Sequence, residues 1–198
     1  MFNIMQIPML IPEMEELVIW DNGFSEEDLQ EIIGLGELCS FNNAEVGGDL
    51  TKEVNPDVRV TDVAWIDSDE RSQWLYGRLS ELAARINYDK YRIKIDQFQP
   101  LQYSKYKVGG FYNWHVDNGP GMAFYRKLSF VLALSDLDDY EGGELELNLM
   151  GNQDDAYSLK IKKGHLVVFP SYIPHQVTEV TSGERLTLVG WAIGPKYV

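Results

Sequence analysis

The chain has few cysteine and histidine residues, because its 198 residues include one cysteine, Cys39, and three histidines. A single cysteine excludes an internal disulfide and any CxxC metal site, and it favours a reducing compartment. No apolar run approaches the ~20 residues that span a bilayer. The apolar N-terminus lacks a basic leader and is interrupted by Pro8 and Pro12. We therefore expect a soluble, cytoplasmic protein with no membrane contact and no signal peptide.

Basic residues are absent from the first quarter of the chain. Residues 1–50 contain 11 acidic residues and no Lys or Arg, whereas residues 51–198 contain 20 acidic and 17 basic residues, which gives a net charge of −14. Because nucleic-acid binding depends on clustered Lys and Arg, this balance argues against a nucleic-acid partner. Hydrophobic residues make up 44% of the chain, which is enough for a core and excludes wholesale disorder.

The pattern of apolar residues predicts that helices precede most of the strands. A capping box from Ser25 to Asp28 predicts the start of a helix, and Gly34 and Gly36 are predicted to end it. The other predicted elements before residue 91 are a strand over 16–20, a loop over 42–57, a strand over 58–66 and a second helix over about 69–87.

After Tyr91 the sequence changes to short segments rich in β-branched and aromatic residues, separated by turn residues. Nine such segments are predicted strands: 91–99, 101–107, 111–116, 126–135, 143–149, 157–162, 165–170, 175–180 and 185–193. Many short strands at this spacing predict a sandwich or barrel, with the helices packed on the outside of one sheet. We therefore expect one domain over 1–198, made of a helical and strand extension over 1–90 and a β core over 91–198.

The last predicted strand carries a charged residue on a face that is otherwise uncharged. On an extended chain Arg185 shares one side with Thr187, Val189 and Trp191, while the opposite side is apolar. An arginine beside valine and tryptophan suggests that this side lines a cavity that holds an anionic group, and that the apolar side packs on the helices.

Three residues have the chemistry and spacing of a metal site. His115 and Asp117 form an H-x-D pair whose side chains point the same way on an extended chain, and His175 begins a predicted strand. Two imidazoles and one carboxylate form the facial triad of non-haem Fe(II), which leaves coordination positions open, although the same donors can hold zinc. We expect 175–180 and 185–193 to form a hairpin, so that the Arg185 guanidinium lies deeper in the cavity and pairs with the far end of a short diacid.

Several spaced motifs resemble one known family. The motifs are Tyr106-x-x-Gly109-x-x-Tyr112-x-x-His115-x-Asp117, the stretch from Arg126 to Asp136, Tyr140-Glu-Gly-Gly-Glu-Leu145, and Lys163-Gly-His-Leu-Val-Val-Phe-Pro-Ser171 leading to His175. Together they resemble the 2-oxoglutarate- and Fe(II)-dependent dioxygenases of the prolyl 4-hydroxylase type, most closely the bacterial PKHD-type hydroxylases. The resemblance implies a mainly β fold with flanking helices, a double-stranded β-helix (jelly roll, cupin-like) with the N-terminal helices packed on one sheet.

The resemblance also implies roles for individual residues. It assigns His115, Asp117 and His175 as iron ligands and catalytic residues, Arg185 to the distal carboxylate of 2-oxoglutarate, Tyr106 to positioning the co-substrate, and Trp191 to the wall of its pocket.

Two departures from the family pattern affect the co-substrate pocket. The basic residue is Arg185 where collagen-type prolyl hydroxylases have lysine. Some relatives offer a tyrosine from the strand that here contains Val131 and Ala133. We therefore expect a hydroxyl from Ser129 or Thr187 to supplement Arg185.

The function implied is hydroxylation of an aliphatic C–H, in particular of a prolyl residue in a peptide or protein, with release of succinate and CO2. Fe(II), 2-oxoglutarate and O2 would be required, with ascorbate as a reductant. Two alternatives stay open: a cupin-like metal enzyme that holds zinc or nickel and does not use 2-oxoglutarate, and a non-catalytic binding module. Segments 118–125 and 42–57 are predicted lids, and the oligomeric state is not indicated.

Overall fold

The computed structural model describes residues 17–46, 53–149 and 156–196. Within these residues, the first part of the chain contains β1 (Val18–Trp20), α1 (Glu26–Leu38), β2 (Asn42–Asn43), β3 (Arg59–Val60), β4 (Asp62–Ile66), α2 (Gln73–Ile86) and a π-helical turn (Asn87–Tyr91). The second part contains β5 (Gln97–Phe98), β6 (Leu101–Tyr106), β7 (Phe111–His115), a 3-10 turn (Gly121–Tyr125), β8 (Arg126–Ala133), β9 (Tyr140–Gly142), β10 (Leu145–Leu147), β11 (Tyr157–Leu159), β12 (Leu166–Pro170), β13 (His175–Val177), β14 (Val180–Gly183) and β15 (Arg185–Ile193).

The strands form two opposed antiparallel sheets. The larger sheet has the order β1-β12-β8-β15-β6-β4-β2, with β5 paired to β15, and the smaller sheet has the order β11-β10-β13-β7-β3. A separate pair, β14 and β9, lies outside both sheets. This arrangement confirms the predicted jelly roll. Strands β1, β2 and β4 come from the first 90 residues and complete the larger sheet, while the division of the chain at residue 90 stays a prediction.

The larger sheet has one face under the helices and one face towards the smaller sheet. Along β8, Leu128, Phe130 and Leu132 are buried in the cluster that contains both helices, whereas Val131 and Ala133 pack with residues of the smaller sheet. This alternation follows from the period of two along a strand. It confirms that the N-terminal helices pack on one sheet, and it leaves the space between the sheets for a cavity. No helix of the described residues is long and apolar enough to cross a membrane.

Helix α1 begins as predicted but does not end where predicted. The Ser25 hydroxyl accepts a hydrogen bond from the Asp28 amide at 3.1 Å, and the Asp28 carboxylate accepts one from the Ser25 amide at 2.8 Å, which completes the capping box. The helix continues through Gly34 and Gly36 to Leu38, so the predicted stop at these glycines is wrong. The physical reason at Gly36 is packing, because this residue lies directly against the ring of a tyrosine in β6.

Substitution of the two glycines in α1 is expected to have opposite effects on stability. A Cβ at Gly36 would lie 2.4 Å from Cγ of Tyr103, a side chain that is fully buried, so Gly36→Ala should lower the free energy of unfolding by about 1–3 kcal/mol. A Cβ at Gly34 would have no other atom within 4 Å, and Gly34→Ala should raise the free energy of unfolding by about 0.5–1 kcal/mol. Denaturant unfolding of both variants measures this, and a Gly36→Ala protein as stable as the wild type would contradict it.

Several predicted strands are divided or replaced in the structure. The predicted strand 58–66 is two strands, since β3 pairs with β7 in the smaller sheet while β4 pairs with β6 in the larger one. The predicted strand 91–99 is the end of a π-helical turn, an irregular segment and the two-residue β5. The described part of the predicted loop 42–57 contains β2, which pairs with β4.

The predicted hairpin between 175–180 and 185–193 is wrong. Strand β13 pairs with β10 and β7 in the smaller sheet, whereas β15 pairs with β5, β6 and β8 in the larger one. Between them, β14 pairs with β9 and carries the chain from one sheet to the other. Gly183 ends β14 with a φ of +72°, and a Cβ there would lie 1.9 Å from the Asp139 carbonyl oxygen. This crossing places Arg185 opposite His175 across the cavity, not beside it on a hairpin.

Candidate active site

His115, Asp117 and His175 converge on one point. His115 ends β7 and lies directly opposite His175, the first residue of β13. Asp117 follows β7 by two residues, with its Oδ1 3.8 Å from Nε2 of His115 and its Oδ2 3.5 Å from Nε2 of His175. One donor atom from each of the three residues lies within 4.8 Å of the others. This donor set fits Fe(II), because two imidazoles and one carboxylate on one side of an ion leave the other side open.

The backbone fixes the orientation of both imidazoles. Nδ1 of His115 lies 2.8 Å from the Asn113 carbonyl oxygen, and Nδ1 of His175 lies 3.0 Å from the Ile173 carbonyl oxygen. A carbonyl oxygen only accepts, so Nδ1 carries the proton in each ring and the lone pair is on Nε2, facing Asp117. Burial, together with the neighbouring His175, lowers the pKa of His115 to about 3. The His115 ring is therefore neutral at ordinary pH, the form that binds a metal.

Asp117 is held by hydrogen bonds to the residue that follows β12 and to a residue of β8. Its amide donates to the Ser171 carbonyl at 3.0 Å, and its Oδ2 accepts a hydrogen bond from the Ser129 hydroxyl at 2.6 Å. Burial raises the pKa of this carboxyl, but the two adjacent imidazoles, the Ser129 hydroxyl and Arg126 outweigh it and hold the pKa below its usual range. Asp117 is therefore a carboxylate at neutral pH and can act as a charged ligand.

The position of Ser129 differs from the expectation that it supplements the co-substrate site. Its hydroxyl is fully buried and is used by Asp117, with the Ser171 hydroxyl 3.0 Å away. Ser129 lies on the inward side of β8, where it pairs with Phe169 on one neighbouring strand and Trp191 on the other. The side of the strand was predictable from alternation, whereas the contact with Asp117 depends on a tertiary approach that the sequence does not reveal.

Removal of the Ser129 hydroxyl is expected to weaken metal binding without unfolding the protein. In Ser129→Ala the Asp117 carboxylate loses a short hydrogen bond that orients it, and loss of such a supporting contact typically lowers metal affinity by about 10–100-fold. Competition for Fe(II) with a chelator of known affinity measures the change. Ser80→Ala, at an exposed position of α2, is the control. Equal affinities in the two variants would contradict this role for Ser129.

A cavity of about 530 Å³ lies between the two sheets and contains the three converging residues. The side chains that line it and that the sequence analysis singled out are His115, Asp117, His175, Arg185, Thr187, Trp191 and Tyr106. A cavity of this volume can hold a small diacid together with part of a second ligand. Its rim includes residues from both predicted lid segments, 42–57 and 118–125, and the movement of these segments stays a prediction.

Arg185 is a buried cation that faces this cavity. Its side chain is 3% exposed, and its Cζ lies 5.3 Å from the ring centroid of Tyr106, its partner across the strand pair. No acidic residue of the described chain forms an ion pair with it. A buried guanidinium without a carboxylate partner is costly, so this arrangement favours an anionic ligand at this end of the cavity.

Trp191 and Thr187 complete the wall of the cavity on the side of β15. Both are buried. The Trp191 ring is covered by the Arg126 guanidinium, whose Cζ is 3.7 Å from the ring centroid, and it lies 6.1 Å from the ring of Trp65. The structure therefore brings together all the residues predicted to line the pocket except Ser129. It also adds Arg59 and Arg126, which the sequence analysis did not single out as cavity residues.

Comparison with known proteins finds similarity to one family in this part of the chain. The family model described as the 2OG-Fe(II) oxygenase superfamily matches residues 101–193. A PKHD-type hydroxylase from Synechococcus sp. (strain CC9902) is 43% identical over 88 residues, which are 44% of this chain and 38% of that protein. A PKHD-type hydroxylase from Idiomarina loihiensis is 29% identical over 64% of this chain and 61% of its own length. The matched part thus spans less than two thirds of these relatives.

Solved structures share the fold over most of the chain. A prolyl-4-hydroxylase from Pseudomonas putida superimposes with a TM-score of 0.69 and 22% identity, covering 91% of this chain and 93% of that one. A prolyl hydroxylase from Trichoplax adhaerens, solved with a hypoxia inducible factor peptide fragment, gives a TM-score of 0.73 and 23% identity, covering 90% and 84%. These likenesses confirm the jelly roll. The match to the model of the 2OG-Fe(II) oxygenase superfamily covers residues 101–193, which contain the three converging residues and Arg185.

Proposed function

We propose that this protein is a 2-oxoglutarate- and Fe(II)-dependent dioxygenase that hydroxylates an aliphatic C–H. The observation that supports it best is the buried Arg185 guanidinium, which has no acidic partner in the described chain and lines the same cavity as His115, Asp117 and His175. A hydrolase or isomerase built on zinc or nickel has no need of this deep cation, and neither has a binding module that does not hold a diacid.

Each side chain of the cavity has a role in this proposal. His115, Asp117 and His175 hold Fe(II), and Arg185 binds the distal carboxylate of 2-oxoglutarate through two parallel hydrogen bonds, with the Thr187 hydroxyl as a further donor. Tyr106 and Trp191 exclude water and orient the co-substrate between them. The bound iron, with O2, supplies the oxidation in which 2-oxoglutarate becomes succinate and CO2 while a substrate C–H becomes C–OH.

The substrate that we propose is a prolyl residue in a peptide or protein. The support is the sequence likeness to PKHD-type hydroxylases and the structural likeness to prolyl hydroxylases, one of which was solved with a peptide fragment. The rim of the cavity also offers exposed apolar surface, with Trp65 and Met122 about half exposed beside the opening, which suits an extended peptide. Ascorbate is proposed as the reductant that keeps the iron ferrous.

Succinate formation tests the proposed function. Protein loaded with Fe(II) and supplied with 2-oxoglutarate and ascorbate should form succinate in air and none under nitrogen, and the rate should rise when a substrate is added. Peptides that contain proline, lysine or asparagine should be screened in parallel for a mass increase of one oxygen atom. Absence of 2-oxoglutarate binding to the metal-loaded protein would refute the co-substrate, and oxidation of lysine or asparagine alone would refute the prolyl substrate.

A further inference from the structure

A second buried arginine lines the cavity, and the proposed co-substrate leaves it without a partner. Arg59 is the first residue of β3, its side chain is 8% exposed and it lines the cavity. Its Nε is buried and has no hydrogen-bond partner among the described residues. No ion pair joins Arg59 to an acidic residue of the described chain, although Glu45 also lines the cavity.

The position of Arg59 is fixed by the smaller sheet. Arg59 lies opposite Tyr112 in the pairing of β3 with β7, and its Cζ is 4.4 Å from the centroid of the Tyr112 ring. The Tyr112 ring in turn stacks on His115, with the centroids 3.5 Å apart and the planes at 16°. One aromatic ring therefore contacts both Arg59 and a proposed iron ligand, so the guanidinium is close to the reacting region.

The guanidinium groups of Arg185 and Arg59 lie on opposite sides of the cavity. Arg185 projects from β15 of the larger sheet, whereas Arg59 projects from β3 of the smaller sheet. The proposed co-substrate has two carboxylates, of which one binds the iron and the other binds Arg185. Both therefore have a cation without Arg59, so we take the ligand of Arg59 from the second reactant.

The aromatic contact does not replace an anionic partner. The face of Tyr112 offsets part of the cost of burying the guanidinium. The ring does not accept a hydrogen bond from the Nε–H of Arg59, however, and this donor has no partner among the described residues. The third arginine of the cavity, Arg126, differs because its Nε donates to Gln99 at 2.7 Å and its Nη1 donates to the Asp117 carbonyl at 3.3 Å. Besides Arg185, Arg59 therefore has both the burial and the free donor that a ligand carboxylate requires.

We propose that Arg59 binds a carboxylate of the primary substrate, so that the enzyme prefers substrates with an acidic group beside the hydroxylated residue. This inference rests on the proposed function for the identity of the co-substrate. The carboxylate has two sources in a peptide, an Asp or Glu side chain and a free C-terminus, and both present the same planar pair of oxygens to the guanidinium fork.

Binding of three matched peptides separates these sources. Each probe is an N-acetylated pentapeptide with a central proline. The first has Glu on both sides of the proline and an amidated C-terminus, the second has Gln at those positions and a free C-terminus, and the third has Gln and an amidated C-terminus. Their affinities are measured by calorimetry on protein loaded with Fe(II) and 2-oxoglutarate under nitrogen, where no turnover occurs.

We expect at least one carboxylate peptide to bind the wild type about tenfold or more tightly than the neutral peptide, as a hydrogen-bonded charge pair allows. Arg59→Gln should remove this difference while the affinities for the neutral peptide and for 2-oxoglutarate stay within about twofold, and Arg59→Lys should keep part of it. Arg71→Gln, at an exposed arginine paired with Asp69, is the matched control and should behave as wild type.

Preference for the first peptide alone assigns the side-chain carboxylate, and preference for the second alone assigns the C-terminus. Equal binding of all three peptides to the wild type, binding of none, or an Arg59→Gln variant that weakens the neutral peptide as much as the acidic ones overturns the inference. Normal binding of 2-oxoglutarate alongside any of these results leaves the proposed function standing, whereas its loss in the wild type refutes the proposed function itself.

Discussion

Replacement of Arg185 with alanine is expected to weaken 2-oxoglutarate binding by about 2–5 kcal/mol, roughly 30-fold or more in Kd, while metal binding is unchanged. The reason is that the guanidinium is buried and unpaired in the described chain. Its replacement leaves the distal carboxylate of the co-substrate buried without a counter-charge. The metal ligands come from the smaller sheet and the chain after β7, so they keep their positions.

Calorimetry with 2-oxoglutarate on the metal-loaded protein measures this loss, and a chelator competition measures metal affinity in the same variant. Arg185→Lys should fall between wild type and alanine, because an ammonium group keeps the charge but not the planar fork. Arg71→Ala, at an exposed site, serves as the control. If Arg185→Ala bound 2-oxoglutarate as tightly as the wild type, Arg185 would not be the anchor of the co-substrate.

Loss of His175 or Asp117 is expected to abolish both metal binding and turnover. Each supplies one of three donors that lie within 4.8 Å of one another, and two remaining donors cannot enclose one side of an ion. The decrease in metal affinity should exceed the ~10–100-fold effect of removing a supporting hydrogen bond. His175→Ala and Asp117→Ala should both form no detectable succinate.

His165 provides a matched control for these variants, because it is the third histidine of the chain and does not belong to the converging group. His165→Ala should keep the metal affinity of the wild type. Equilibrium dialysis against Fe(II) under nitrogen, followed by metal analysis, gives the comparison directly. Retention of one equivalent of iron by His175→Ala would show that the ion is held elsewhere.

The residues of the site were predictable because they sit on extended chain. Two residues apart on a strand end, His115 and Asp117 must point the same way, and alternation along β15 puts Arg185, Thr187 and Trp191 on the side that faces the cavity. These are local rules, and the structure places the residues accordingly. The capping box of α1 was predictable for the same reason, since all its contacts lie within one helical turn.

The contacts that the sequence did not reveal are all non-local. The predicted hairpin after His175 was wrong because β14 lies outside both main sheets and pairs with β9. Arg59 precedes His115 by more than fifty residues, and only the pairing of β3 with β7 shows that it reaches the cavity. At Gly36 a rule about helix ends was overridden by the approach of Tyr103 from another layer.

The hydrogen bonds around Asp117 have a mechanical consequence. His115 and His175 belong to neighbouring strands of the smaller sheet, whereas Asp117 is fastened through its amide to Ser171, the residue that follows β12 of the larger sheet. An ion bound by all three side chains would cross-link the two sheets at the open end of the sandwich. Removal of the ion by a chelator should therefore increase amide hydrogen exchange at that end first. The strands covered by the helices should stay protected from exchange.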